Sequence, residues 1–478
     1  MRPPRFIQRF RRRWVFGGAC FGVVCLLMAG TALRPLEPGP YLAVLASGEL
    51  VDRDGVLLHP FLNSEEQWCF PRGLDGMHPY IAQATIAVED KRFRKHVGVD
   101  PIAVCRAVIQ NLREGGIASG ASTLTMQLVK LTEQTPRSFA AKAVQAIKAI
   151  RLTRAAEKDA VLTAYLNKAP YGLNLVGVDA AARRYYGKPA LELSLDEAAL
   201  IAGLPKSPSG LEPLAHPERA RERRDYVLRR MFEEGFIDAA ALSNAVARPV
   251  DAAWHAFPRR APHLAMGLRD QLEEGGSLDV TLDAALQGEV ESRVQRYLKS
   301  FDDEVTNAAV MVAAVETGEV LVRVGSADFW GTAGGQVDLC SSPRSPGSAL
   351  KPFAYGLAME ENVLYASEQL LDGRLDYGDY APGNFDGNFN GLVSAGEALR
   401  FSLNVPALTV LERTGVSRFT EMLRDLGITS LTRASDYYGL GLALGNAEIR
   451  LDELTGAYAT LANLGRPVSL RVVPREGT

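Results

Sequence analysis

Residues 80–98 read YIAQATIAVEDKRFRKHVG, and residues 115–130 read GGIASGASTLTMQLVK. If the first stretch is helical throughout, Glu89, Phe93 and His96 lie at i, i+4 and i+7 and share a face, with Asp90 adjacent. A carboxylate backed by an aromatic ring and near a second carboxylate holds its proton more tightly. That suits a general base working near neutral pH. On these residues alone, an amphipathic helix with a solvated E-D-K-R end is the favoured explanation. In the second stretch a glycine-rich loop runs into Ser122, an expected N-cap. Thr123, Gln127 and Lys130 follow, again at i, i+4 and i+7. A hydroxyl, an amide and an ammonium on one face, beside the positive end of a helix, suit a phosphate or diphosphate. A helix with a few polar surface residues is the plainer alternative. No G-K-[ST] closes the loop, so it is not a Walker P-loop.

Outward from these stretches, the pattern is helical from Tyr80 to about Arg248. Alanine, leucine and charged residues recur at spacings of three and four, as in ERARERRDYVLRRMFEEG (218–235). One break is expected, at Pro205, Pro208, Ser209 and Gly210. Before this region, YLAVLASGELVDRDGVLLHP (41–60) has a β-like reading, with Asp54-Gly55 as its turn. After it, Pro249–Pro262 reads as a linker and a second composition begins at DVTLDAALQ (279–287). VTNAAVMVAAVETGEVLVRVGS (305–326) reads as strand, Thr-Gly turn and strand, and helices are expected over 348–361 and 394–413.

The chain has 478 residues, 47% of them apolar and 23% charged, with a mean hydropathy of −0.03. That excludes a mostly disordered chain and a polytopic membrane protein, and predicts more than one domain. Net charge is −3; removing the six arginines of residues 1–13 leaves −9. A body that acidic is no general nucleic-acid binder. Five cysteines without a C-x-x-C pair make neither a disulfide framework nor a structural zinc site. Trp14–Leu33 carries no charge and is long enough to cross a bilayer as one helix. The arginine block ahead of it predicts a cytoplasmic N-terminus and an exported body. A cleaved signal peptide is the alternative, but the apolar run exceeds the usual h-region.

EDKRFRKHVG (89–98) resembles the first motif of the family 51 peptidoglycan glycosyltransferases, E-D-x-x-F-x-x-H-x-G. GASTLTMQ (120–127) resembles their second, and YLNKAPYG (165–172), AARRYYGK (181–188) and EAALIAGLPKSPSGLEP (197–213) resemble later ones. The resemblance implies polymerisation of lipid II, a disaccharide-peptide on a polyprenyl diphosphate. A sugar 4-hydroxyl attacks the anomeric carbon at the end of the nascent glycan strand, configuration inverts, and the lipid diphosphate leaves. It implies Glu89 as general base, with Asp90, Phe93 and His96 shaping its site. Ser122, Thr123, Gln127, Lys130, Lys142 and Gln145 are the implied substrate-binding residues. The family's third motif, R-K-x-x-E, is matched by Ala141-Lys142-Ala143-Val144-Gln145, so its arginine and glutamate are absent.

RSPGSALKPF (344–353) contains Ser348-x-x-Lys351, and FSLNVPAL (401–408) contains Ser402-x-Asn404. On one helix face, the lysine amine of S-x-x-K can reach and activate the serine. Four letters alone are common by chance. With their neighbours and GLALGNAEIRLDELTGAYATLAN (441–463), they resemble a penicillin-binding transpeptidase, whose signature also includes K-T-G. No K-T-G or K-S-G occurs in the 74 residues after Asn404. Truncation of the given chain is preferred over a degenerate domain as the reason.

Together these resemble a class A, bifunctional penicillin-binding protein of the 1C type, a type that carries glutamine at position 145. The implied architecture is multidomain. It comprises a basic tail (1–13), a transmembrane anchor (14–33), a linker (34–75), a mainly-α lysozyme-like glycosyltransferase domain (76–248), a linker (249–277) and an α/β transpeptidase-like domain, incomplete, over 278–478. Implied partners are lipid II, the glycan strand, the membrane, stem peptides and, for a complete transpeptidase, β-lactams. No cofactor is fixed by the sequence; magnesium or manganese is compatible with the family but has no ligand spacing here. The implied location is the bacterial inner membrane, single-pass, with catalytic domains outside the cytoplasm. The alternatives are a catalytically weak, membrane-anchored scaffold or β-lactam-binding protein, and a lytic transglycosylase.

Overall fold

The computed structural model describes residues 35–106, 122–134, 138–301, 305–331, 333–375 and 382–475. The arginine block, the apolar stretch 14–33 and the glycine-rich loop 115–121 lie outside these. Among the described residues no helix is long and apolar enough to cross a membrane. The chain divides into two compact units. One gathers the residues up to Gly48, Pro60–Phe257 and Glu273–Gly276; the other holds Glu49–His59, Pro258–Leu272 and Ser277 onward.

The stretch read as a linker, 34–75, contains strands β1 (Gly48–Val51) and β2 (Leu57–Phe61). The Asp54-Gly55 turn forms as expected. Asp52 N donates to Val56 O, the Asp52 carboxylate accepts from the N–H groups of Asp54 and Val56, and Gly55 takes φ +78°.

The first unit is mainly helical. Its helices are α1 (Pro79–Glu89), α2 (Leu124–Glu133), α3 (Phe139–Ala155), α4 (Lys158–Lys168), α5 (Val178–Tyr186), α6 (Leu195–Gly203), α7 (Pro217–Glu233) and α8 (Ala239–Ala247). The single break expected near Pro205 is one of several, because the region divides into separate helices of 9 to 17 residues. Helix α1 begins well: Pro79 needs no N–H partner at its position, and His78 accepts from Tyr80 N. Ala84 and Ala87 of α1 meet Ala199 and Ala202 of α6 and Val227, Leu228 and Met231 of α7. Such small side chains bring the helix axes close. A larger core holds Phe70, Ile81, Phe93, Leu128, Tyr165 and Tyr185. Burial of each such side chain contributes about 1.5–3 kcal/mol.

Helix α1 stops at Glu89. Asp90 leaves helical geometry (φ −157°, ψ 73°), and residues 91–99 form turns. Phe93 and His96 therefore do not share a helical face with Glu89, contrary to the spacing argument. The turns end at Gly98, which has φ +103°, and a Cβ there would lie 2.3 Å from the backbone oxygen of Ala149 on α3.

The second unit is mixed. It contains α9 (Pro262–Leu268), β3 (Ser277–Asp279), α10 (Ala284–Leu298), β4 (Val310–Ala313), β5 (Val320–Val324), α11 (Lys351–Glu360), β6 (Gln369–Asp372), β7 (Gly391–Ser394), α12 (Ala395–Arg400), α13 (Asn404–Thr414), α14 (Val416–Asp425) and α15 (Leu451–Ala462). One sheet runs β2-β1-β3 with β1 and β3 parallel; β4–β5 and β6–β7 are antiparallel pairs. The Thr317-Gly318 turn joins β4 to β5 as expected. Leu350, Phe353, Leu357, Val410, Phe419 and Leu423 are among the core residues. The helix expected at 348–361 begins as a 3-10 turn (Gly347–Leu350). The helix expected over 394–413 is two helices, α12 and α13, separated at Phe401–Leu403.

Gly98 meets two demands at once, a left-handed backbone and contact with another helix's backbone. Gly98→Ala should cost the first unit at least about 2 kcal/mol, read from its unfolding midpoint in urea. A loss below about 0.5 kcal/mol would show that the close approach is not required.

Candidate active sites

In the first unit, the Glu89 carboxylate is 16% exposed and is held from two sides. Gln127 Nε2 donates to Glu89 Oε2 at 2.9 Å, and Arg223 donates to Glu89 Oε1 at 3.3 Å. The Gln127 amide is itself oriented, because the buried Tyr165 hydroxyl donates to its Oε1 at 3.2 Å. Burial pushes the Tyr165 phenol well above its ordinary pKa, so it remains a donor. Burial pulls the Arg223 guanidinium down, and the Glu89 charge opposes that.

Asp90, His96 and Thr123 form a buried clamp behind this carboxylate. His96 Nε2 lies 2.8 and 3.0 Å from the two Asp90 oxygens, while His96 Nδ1 accepts from Gly98 N. With Nδ1 accepting, the proton sits on Nε2 and is donated to Asp90. Asp90 Oδ2 also accepts from Leu124 N at 3.0 Å. Thr123, not Ser122, caps α2: its hydroxyl accepts from Met126 N and donates to Gly98 O at 2.6 Å. Two donors expected to be available for an anion at the start of α2 are thus already taken, and the Thr123 hydroxyl faces inward. Phe93 is in the core, with Lys158 Nζ 4.5 Å from its ring centre. Ser122 lies one residue ahead of the cap. Lys130 on α2 and Lys142 on α3 are exposed, and Gln145 on α3 is buried. Among the described residues no three His, Cys, Asp or Glu side chains group to hold a metal. Asp90, next to Glu89 in sequence, is committed to the clamp.

In the second unit, Lys351 is 1% exposed. Its Nζ donates to Ser402 O at 2.6 Å, Asn404 Oδ1 at 2.8 Å and Ser402 Oγ at 3.2 Å. Burial lowers its pKa to about 8. Ser348 is exposed on the preceding 3-10 turn, and its carbonyl accepts from Lys351 N. The expected amine-to-hydroxyl contact with Ser348 is not formed, because all three ammonium donors point to the 402–404 segment. Gly445 holds this turn from behind: a Cβ there would lie 2.4 Å from Gly347 N.

The sequence of the first unit matches the transglycosylase family over residues 54–232. That of the second matches the penicillin-binding protein transpeptidase domain over residues 308–474. The chain belongs to the class A penicillin-binding proteins. It is 37% identical to penicillin-binding protein 1C of Escherichia coli (strain K12) over 455 residues, covering 94% of this chain and 58% of that protein. It is 32% identical to penicillin-binding protein 1F of Bacillus subtilis (strain 168) over 444 residues, covering 89% and 60%. To penicillin-binding protein 1A of Streptococcus oralis it is 31% identical over 417 residues, covering 80% and 65%. The chain therefore spans less than two thirds of the length of these relatives.

Three residues at these sites had not been singled out. Arg223 was one of several arginines in 218–235, and periodicity alone does not separate it from Arg224. The neighbour turns the other way, with its guanidinium on the carbonyls of Val246, Arg248 and Pro249. Tyr165 opens the motif YLNKAPYG and could have been found there. Lys158 carries no sequence signal.

Ser402 takes φ +54°. Ser402 N donates to Leu399 O and Leu403 N to Ala398 O, the paired bonds that close a helix around a left-handed residue. Glycine is usual there, and a residue with a Cβ costs roughly 1–2 kcal/mol more. Ser402→Gly and Ser402→Ala both remove the hydroxyl and differ only in this strain. The glycine variant should therefore be the more stable of the two by about 1 kcal/mol in chemical unfolding. Equal stability would show that the backbone at 402 is unstrained.

Proposed function

We propose that this chain is a peptidoglycan glycosyltransferase that polymerises lipid II into glycan strands and releases polyprenyl diphosphate, and that its second unit is a serine acyl-transfer domain. The observation that carries the first part is a half-buried carboxylate fixed by Gln127 and Arg223. Glu89 takes the proton from the sugar 4-hydroxyl as its oxygen attacks the anomeric carbon. The bond from that carbon to the diphosphate breaks and the configuration inverts. With the Thr123 hydroxyl engaged in the clamp, the exposed ammonium groups of Lys130 and Lys142 are the cations assigned to the departing diphosphate. Gln145 can donate a hydrogen bond but carries no charge. Residues 14–33 are assigned as a single-pass anchor that keeps the unit at the inner membrane, where a lipid-linked substrate resides.

In the second unit, Ser348 is assigned as nucleophile, Lys351 as its base, and Ser402 and Asn404 as the groups that hold the amine and relay the proton. The Ser348 oxygen adds to an acyl carbonyl as Lys351 takes its proton; the acyl C–N bond then breaks, the same proton passes to the leaving amine, and a serine ester remains.

Purified full-length chain supplied with lipid II should yield glycan strands. Glu89→Gln should cut the rate at least about 100-fold, the contribution of a general base. Equal polymer from both proteins would remove Glu89 from the role. A wild-type chain that binds a polyprenyl diphosphate analogue yet makes no polymer would favour the scaffold reading.

Only the unprotonated Lys351 amine accepts a proton. Acylation by a fluorescent penicillin should therefore rise with pH around a midpoint near 8, well below the 10.5 of an ordinary lysine. Lys351→Arg should abolish the rise. A profile flat between pH 6 and pH 9 would exclude Lys351 as the base.

A further inference from the structure

Behind the Lys351 site lies a buried acid that the acyl-transfer reading does not use. Asp372, at the end of β6, is 0% exposed and makes no ion pair among the described residues. An unpaired buried carboxylate is costly unless hydrogen bonds satisfy it. Among the described residues Asp372 is satisfied by amides alone. Asn384 Nδ2 donates to both its oxygens, at 2.8 and 2.9 Å. Asn390 donates to Oδ2 through its backbone N–H at 2.9 Å and its Nδ2 at 2.7 Å.

The other end of the Asn384 amide faces the site. Asn384 Oδ1 accepts from Asn404 N at 2.8 Å. Asn404 is the first residue of α13, and its N–H has no partner within the helix. The residue at the N-cap is Leu403, which has no side-chain acceptor. Asn384 caps α13 from a separate segment. Its neighbour Gly383 completes the hold: Asn404 Nδ2 donates to Gly383 O at 2.9 Å, which leaves Asn404 Oδ1 turned toward Lys351.

We propose that Asn384, locked by Asp372, is a positioning residue that fixes Asn404 and through it the Lys351 amine for acyl transfer at Ser348. The chain of contacts runs carboxylate, amide, helix N-terminus, amide, ammonium. Asp372 allows one orientation of the Asn384 amide, since only the NH2 end can face a carboxylate. The oxygen end is then the only one left for Asn404. This inference rests on the acyl-transfer reading above.

The test compares Asn384→Leu, Asp372→Asn and Asn388→Ala in the full chain. Asn388 is on the same loop; its backbone carbonyl accepts from Asn384 Nδ2 at 2.9 Å, a bond that Asn388→Ala keeps, while among the described residues its side chain bonds only Asp386, so the variant reports general loosening of that loop. Acylation by a fluorescent penicillin is resolved into the dissociation constant of the encounter complex and the acylation rate constant. Asn384→Leu should lower the rate constant at least tenfold and leave the dissociation constant within threefold, with Asn388→Ala unchanged in both. A rate constant within twofold of wild type, or an equal fall in Asn388→Ala, overturns the proposal. If Asn384→Leu melts early, Asp372→Asn decides by the same comparison, since it keeps volume and replaces an acceptor by a donor. A wild-type chain that takes up no penicillin would instead unseat the acyl-transfer reading. The positioning claim is then judged by hydrogen exchange at residues 402–406. Exchange at least tenfold faster in Asn384→Leu supports the contact, and unchanged exchange refutes it.

Discussion

The Glu89 site depends on the burial of Asp90. Its carboxylate accepts from His96 and from Leu124 N, the first helical N–H of α2. A charge with so little solvent is tolerated because its oxygens are hydrogen-bonded. To reach those partners Asp90 must leave α1, so the helix ends one residue earlier and Glu89 becomes its last residue. The same bond fixes where α2 begins, and therefore where Gln127 stands. Two residues 38 apart in sequence meet at 2.9 Å because the residue next to one of them is tied to the start of the helix that carries the other.

This explains what the sequence could and could not tell. Residue types were informative in part: Glu89 and Gln127 do meet, but the cation beside them is Arg223 and not Lys130, which is exposed on α2. The spacing argument failed because it assumed that α1 continues. From Val88 to His96 there is no glycine or proline, so nothing local announces a helix end. Asp90 is held out of the helix by His96, six residues on, and by Leu124 N, 34 residues away. Ser402 presents the same difficulty, since a left-handed residue usually declares itself as glycine. Where the turn chemistry is local the reading held. Asp54-Gly55 and Thr317-Gly318 both lie at turns between strands, with each glycine at positive φ. Which of two adjacent arginines faces Glu89 follows from how α7 packs on α1, and composition carries no such information.

The two sites handle charge in opposite ways. At the first, the Glu89 carboxylate sits beside a cation, Arg223, and one neutral donor, Gln127. At the second, the buried Lys351 amine meets, among the described residues, neutral acceptors: a carbonyl, a hydroxyl and an amide oxygen. Burial then governs Lys351, and it acts to release the proton. A carboxylate at position 404 would supply a comparable hydrogen bond but would hold the proton on the amine. Asparagine fixes the amine in place without opposing its deprotonation. A side chain that keeps the geometry and lacks the charge is what a lysine base requires of its neighbour.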